Sequence, residues 1–257
     1  MKWQETGKKT KIENLWRYID LHKLIDFGLS RELHFLRTDK FSDPFEAITY
    51  DLLKLRYFSK VQITNPEIEE KIRNEQNEIN QNNLQKFQAD SLNHQKTQYI
   101  NCWFESDRES LAMWNLYSNK NSVAIKVNKS VFSGLINKAK DPQYIDSDSL
   151  KYVYGPVKYL RLNPLDLFEN PQLPKYSAFK KEAAYDFEKE YRLLIATPNN
   201  FILDNPEYLR LKLSEELIQN IHIICHPEME GWKFENIENL CKSMNLNKPE
   251  KSKIEIK

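Results

Sequence analysis

The apolar positions change period several times along the chain, and each change marks an element. Residues 15–19 alternate, with Leu15, Arg17 and Ile19 on one face and Trp16 and Tyr18 on the other, as a strand requires. Asp20 then caps a short amphipathic helix carrying Leu21, Leu24 and Ile25, and Gly28 suits its C-terminus. Residues 32–36 alternate again. Further strands are predicted at 99–104, 122–127, 191–196 and 219–225, with a strand or hairpin edge at 151–159. Helices are predicted at 110–117, 131–139, 177–187 and 234–244. Pro44 fits the first turn of a helix begun by Asp43 and carrying Phe45, Ile48, Leu52 and Leu53. Strands and helices mix without a strict βαβ rhythm, so the predicted class is α+β, a mixed sheet core flanked by helices.

One stretch breaks the pattern. Residues 66–98 are rich in Asn, Gln and Glu with sparse apolar positions, and read as a polar helical insertion in a single domain spanning 1–257. The Lys-rich end, 248–257, reads as a flexible tail.

Composition narrows the chemistry. Lys+Arg number 38 against 37 Asp+Glu, so no global field selects nucleic acid or an anionic membrane. No run approaches the roughly 18 apolar residues of a membrane span, and the N-terminus lacks a signal-peptide core. The chain reads as soluble and cytoplasmic, with no membrane partner. The three cysteines make no disulfide framework, and His222, Cys225 and His226 fit no common zinc spacing, so no metal site is expected there. The five glycines form neither a dinucleotide fingerprint nor a phosphate loop, so any nucleotide must be held by side chains. Nothing in the sequence fixes an oligomeric state.

Four constellations could carry chemistry. Arg17 offers a planar fork for phosphate or carboxylate, beside Trp16 and Tyr18, which could stack on a ring. Asp43 and Glu46 sit three apart at a helix start, where capping alone would explain them. Ser106 ends a strand, and Trp114 and Tyr117 lie three apart on the next helix, as a pocket wall or simply as core. Glu188, Glu190 and Arg192 alternate just before the apolar run 193–195. On a strand they share one face, as an ion-pair ladder or as an active site.

Taken in order, Leu-Trp-Arg-Tyr (15–18), Phe-Ser-Asp-Pro-Phe-Glu (41–46), the stretch from Cys102 to Ser106, Met-Trp-Asn-Leu-Tyr (113–117) and Glu-Lys-Glu-Tyr-Arg (188–192) resemble the bacterial family catalogued as domain of unknown function 2971. The resemblance runs from about residue 13 to 245. Ser42 stands where the family often has Asn, Ser118 where Ala often follows the Tyr, and the usual Gly before the strand at 122–127 is missing. More distantly, the order Arg17, Ser106, Glu190 resembles ADP-ribosyltransferase-like domains, with Glu188 and Glu190 as their Glu-x-Glu pair. This resemblance implies an ADP-ribosyltransferase-like fold and NAD as substrate, with a nucleic acid or protein acceptor and a role as a toxin or anti-phage defence effector. Glu190 would stabilise the positive charge that develops on the ribose, and Glu188 would orient or deprotonate the acceptor. Arg17 and Ser106 would line the NAD site, and Tyr18, Trp114 or Tyr117 would stack on nicotinamide. Two other readings stand beside it. One is a metal-dependent nuclease or phosphodiesterase using Asp43, Glu46, Glu188 and Glu190 around magnesium. The other is a non-catalytic binding module of a defence assembly.

Overall fold

The structure, a computed structural model, describes residues 2–43, 45–53, 70–139, 149–161, 173–198 and 206–255, the side chains of 70–80 excepted. In chain order the elements are β1 (Trp3–Glu5), β2 (Asn14–Ile19), α1 (Leu21–Ser30), β3 (Glu32–Arg37), α2 (Glu70–Lys96), β4 (Gln98–Glu105), α3 (Leu111–Tyr117), β5 (Val123–Asn128) and α4 (Lys129–Leu135). After these come β6 (Lys151–Pro156), β7 (Lys158–Leu160), β8 (Lys180–Glu182), β9 (Glu190–Ala196), β10 (Tyr208–Lys212), α5 (Glu215–Ile218), β11 (His222–Cys225), α6 (Gly231–Ser243) and β12 (Glu250–Lys251). The class is α+β, with a mixed multi-strand sheet.

The main sheet runs β1-β6-β9-β4-β2-β5-β11-β12, while β7 and β8 form a separate parallel pair. Within the main sheet β1/β6 and β11/β12 are parallel and the other pairs antiparallel. The long strand β4 is flanked by β9 on one side and shared by two strands on the other. It pairs with β2 only at Leu15↔Glu105 and Trp16↔Phe104, and with β3 only at Leu36↔Ile100 and Arg37↔Tyr99. Residues 101–103 of β4 therefore border a notch where β2 and β3 diverge, spanned by the Asn101 amide donating to the His34 carbonyl at 2.8 Å.

Period-two alternation assigns the two faces. On one face Leu15, Ile19, Leu33, Phe35, Tyr99, Trp103, Ile125, Tyr191, Leu193 and Ile195 join the largest apolar core, closed by α1, α4 and α6. On the other, Trp16, Tyr18, Phe104, Met113 and Trp114 form one cluster, and Ile100, Val153, Ala178, Phe179 and Leu194 another.

Several predicted elements differ. The helix expected at 177–187 is two 3-10 turns, Ser177–Phe179 and Ala183–Glu188, around β8. Its spacing of Phe179, Ala183 and Phe187 fits a helix, but Phe179 is core while Phe187 is exposed. Asp43 begins no helix: its carboxylate accepts from the Phe45 N–H at 2.8 Å, a turn follows, and helix starts only at residue 50. Gly28 does not end α1. A Cβ there would stand 2.2 Å from the Met244 sulfur, so glycine admits close packing, and Arg31 (φ 59°) makes the left-handed cap. Within the expected tail, β12 pairs with β11 and Ile254 packs on the Trp16–Trp114 cluster, so residues 250–254 are docked; residues 256 and 257 lie outside the described residues.

Of the polar stretch 66–98, residues 66–69 lie outside the described residues and Glu70–Lys96 form a single 27-residue helix, α2. Its C-terminal half is fastened to the segment carrying Glu46. The Ser91 hydroxyl accepts from the Thr49 N–H at 3.0 Å, the Gln95 amide donates to the Glu46 carbonyl at 2.7 Å, and Leu84 and Phe87 pack against Ile48, Leu52 and Leu53.

Candidate active site

Arg192 is the hub. Cross-strand register puts it beside Cys102 on β4, and alternation puts Glu190, Arg192 and Leu194 on the face opposite the main core. The guanidinium is fully buried. Its Nη1 and Nη2 donate to both oxygens of Glu46 at 2.6 and 2.9 Å, its Nε donates to Glu190 at 2.6 Å, and Nη1 also reaches the Ala178 carbonyl at 2.6 Å. Such a two-sided fork is geometry lysine cannot reproduce. Burial works against the charge, but Glu190 and Glu46 outweigh it and hold Arg192 protonated.

Glu190 is shared. Its second oxygen accepts from Lys181 at 2.7 Å, and Lys181 also bonds Glu188. Glu188 in turn accepts from the Tyr117 hydroxyl at 2.6 Å. The Glu190 N–H donates to the Tyr159 hydroxyl at 2.7 Å. Glu188, Glu190 and Arg192 are thus not three residues of one strand. Glu188 closes a 3-10 turn, Lys189 adopts the left-handed region (φ 39°), and β9 begins at Glu190. The turn, not the pleat, brings the two carboxylates onto one ammonium.

That placement separates the pair electrostatically. For Glu190 burial favours protonation, but the charge and hydrogen bond of Arg192, with Lys181, hold the carboxyl well below the usual range. For Glu188 burial dominates, its ionised neighbour adds to it, and Lys181 and Tyr117 only partly compensate, so its pKa is raised. Cys102 lies beside Glu190, and burial followed by that negative charge pushes its thiol well up, which keeps it protonated and inert as a nucleophile.

The other expected residues fall in three places. Tyr18 and Trp114 meet edge to face at 4.8 Å, and Phe104, the cross-strand partner of Glu190, lies 6.3 Å from Tyr18. They adjoin the carboxylates, but Trp114 is fully buried and Tyr18 nearly so, while Tyr117 is half exposed. Arg17 pairs with Ile125 and alternates to the opposite side of the sheet from Trp16 and Tyr18. Its charge is felt by Cys102 and His34 on the banks of the notch, burial lowers its pKa, and among the described residues no hydrogen bond or ion pair holds it. Ser106 lies past the end of β4, its hydroxyl accepting from the Arg108 N–H at 3.2 Å and its carbonyl from Trp16 Nε1 at 2.7 Å, in a turn rather than among the carboxylates.

Asp43, Glu46, Glu188 and Glu190 do not gather around one ion. Glu46 is committed to Arg192, the other two glutamates to Lys181, and among the described residues no group of three His, Cys, Asp or Glu side chains is placed to hold a metal. His222 bonds Glu250 at 2.9 Å.

Compared with protein-family models, curated proteins and solved structures, the chain matches none. The site must be read from its own chemistry.

Two residues central to that chemistry were not singled out from sequence. Lys181 bridges the glutamates from β8, and nothing in its neighbourhood signals a partner. Lys180 is buried with no hydrogen bond among the described residues, its ammonium 5.6 Å over the Tyr50 ring, and burial, only partly offset by Glu46, lowers its pKa to about 8. A Lys-Lys-Glu triplet in a predicted helix would have been read as a solvated face.

Proposed function

We propose that the chain is an NAD-using transferase of the ADP-ribosyltransferase type. One observation carries this reading: Glu188 and Glu190 share one ammonium yet are driven apart, Glu190 toward the ionised form and Glu188 toward the protonated one. Paired carboxylates separated in this way define an electrostatic stabiliser and a proton carrier, the division of labour that glycosyl transfer uses. The ribose–nicotinamide bond breaks, nicotinamide leaves with the electron pair, and Glu190 offsets the charge left on the ribose. The acceptor oxygen or nitrogen attacks C1 of that ribose, and its proton passes to Glu188. Tyr117 tunes Glu188 by donating to it. Arg17 lies on the opposite side of the sheet from Glu190 and takes no part in this site. The acceptor is nucleic acid or protein, in keeping with a toxin or anti-phage effector.

The test is nicotinamide release from labelled NAD by the wild type, by Glu190→Gln and by Glu188→Gln, with thermal melts run in parallel. Release by the wild type and a loss of at least a hundredfold in both variants, at retained folding, is the expected outcome. No release by the folded wild type with oligonucleotide or protein acceptors would overturn the proposal. Loss that tracks unfolding of the variants would assign the cluster to fold maintenance in a binding module.

A further inference from the structure

The segment 250–255 is fastened almost entirely to one carboxylate and one aromatic cluster. The Ser252 hydroxyl donates to Glu109 Oε2 at 2.5 Å, and the Lys253 N–H donates to Glu109 Oε1 at 2.8 Å. Glu109 Oε2 also receives Trp114 Nε1 at 3.2 Å, so one side chain ties the segment to the indole. The Ile254 side chain packs onto the cluster of Trp16, Tyr18, Phe104, Met113 and Trp114, and its N–H is held by the Ser252 hydroxyl at 3.0 Å. Upstream anchorage is slight. The strand β12 is two exposed residues long, supplemented by the exposed His222–Glu250 contact at 2.9 Å and by Lys251 lying 5.4 Å over the Phe234 ring. A two-residue parallel edge and exposed polar contacts contribute little, so most of what holds the segment is Ile254 and Glu109.

The covered cluster adjoins the carboxylates: Phe104 stands across from Glu190, and Tyr18 contacts both Phe104 and Trp114. Ile254 lies on this cluster and the His226 ring stands edge-on to Trp114 at 5.0 Å; Trp114 is fully buried and Tyr18 shows only 9% of its surface, so neither ring can stack on a ligand while the cluster is covered. We propose that residues 250–255 are an autoinhibitory strap, whose release uncovers Tyr18 and Trp114 as a wall for the planar ring of the nucleotide substrate. This rests on the NAD-using reading of the site for the ligand, but not for the covering itself.

Two full-length variants release the strap by different means. Ile254→Asp puts a charge into the apolar cluster, and Lys253→Pro removes the N–H that Glu109 accepts. Both are expected to raise acrylamide quenching of tryptophan fluorescence about twofold, an increment abolished when Trp114→Phe is added. They are also expected to bind nicotinamide mononucleotide about tenfold more tightly than the wild type. Unchanged quenching in both variants, or increased quenching with no gain in affinity for the mononucleotide, would overturn the strap. Tighter mononucleotide binding without nicotinamide release from NAD by any variant would support the strap while removing the transferase reading.

Discussion

The two faces of β9 are built by opposite rules. Tyr191, Leu193 and Ile195 point into hydrocarbon, where each group gains by leaving water and no neighbour is individually required. Glu190 and Arg192 point the other way, equally buried, into a network that is stable only as a whole. Three carboxylates, Glu46, Glu188 and Glu190, stand there with three cations, Arg192, Lys180 and Lys181. Burial alone does not measure tolerance: the apolar face degrades gradually, whereas the ionic face fails when one member is removed.

Arg192→Ala and Leu193→Ala separate the two faces most strongly. Truncating Arg192 strands two buried carboxylates and should cost about 3–5 kcal/mol, while Leu193→Ala leaves a cavity worth about 3 kcal/mol. Urea denaturation at neutral pH measures both. The diagnostic is rescue: adding Glu46→Leu and Glu190→Leu to Arg192→Met should recover part of the loss, because the guanidinium and both acids it holds are then replaced together, and no recovery would refute an ionic origin. Lys180 is the member of the ionic face whose charge is least well matched. Its folded pKa, about 8, lies below the ordinary lysine value, so between these two pH values the unfolded chain binds more protons and stability rises with pH. Lys180→Met should flatten that rise between pH 8 and 10.5 and stabilise the protein by about 2 kcal/mol at pH 7. A destabilised variant would mean that the ammonium is needed by Glu46 more than its burial costs. The smallest effect belongs to the rim. Tyr117→Phe should lower stability by about 1 kcal/mol and move the Glu188 titration, followed by carboxyl NMR, to higher pH, because the donated hydrogen bond favours the ionised form. A downward movement would exclude that role.

Much of the apolar face was legible because it depends on period alone. The alternation at 15–19 gave β2 its faces, and Asp20 caps α1 as expected, accepting from the Lys23 N–H at 2.9 Å. The polar residues 66–98 do contain a helix. The ionic face was legible only in its residue types. Glu46, Glu188, Glu190 and Arg192 were all singled out, yet the partnerships that define them were not, since Glu46 and Arg192 are joined across the fold and Lys181 enters from a strand whose pattern resembled a helix. A charged residue carries its partner's identity only through tertiary placement, whereas an apolar residue needs no particular partner. Arg17 shows the limit from the opposite direction. Alternation correctly set it with Leu15 and Ile19, and that same alternation turns it from the face that bears Glu190.

The Glu46–Arg192 fork joins positions 146 apart in the chain. A link of that span carries a large loop-closure entropy, so it cannot nucleate anything and must follow the assembly of β4 with β9. Until it closes, Arg192 and its acids remain better solvated in water than in a half-formed interior. The network therefore acts as the latch of a finished structure: its worth appears in how slowly the native state opens, not in how quickly the chain finds it.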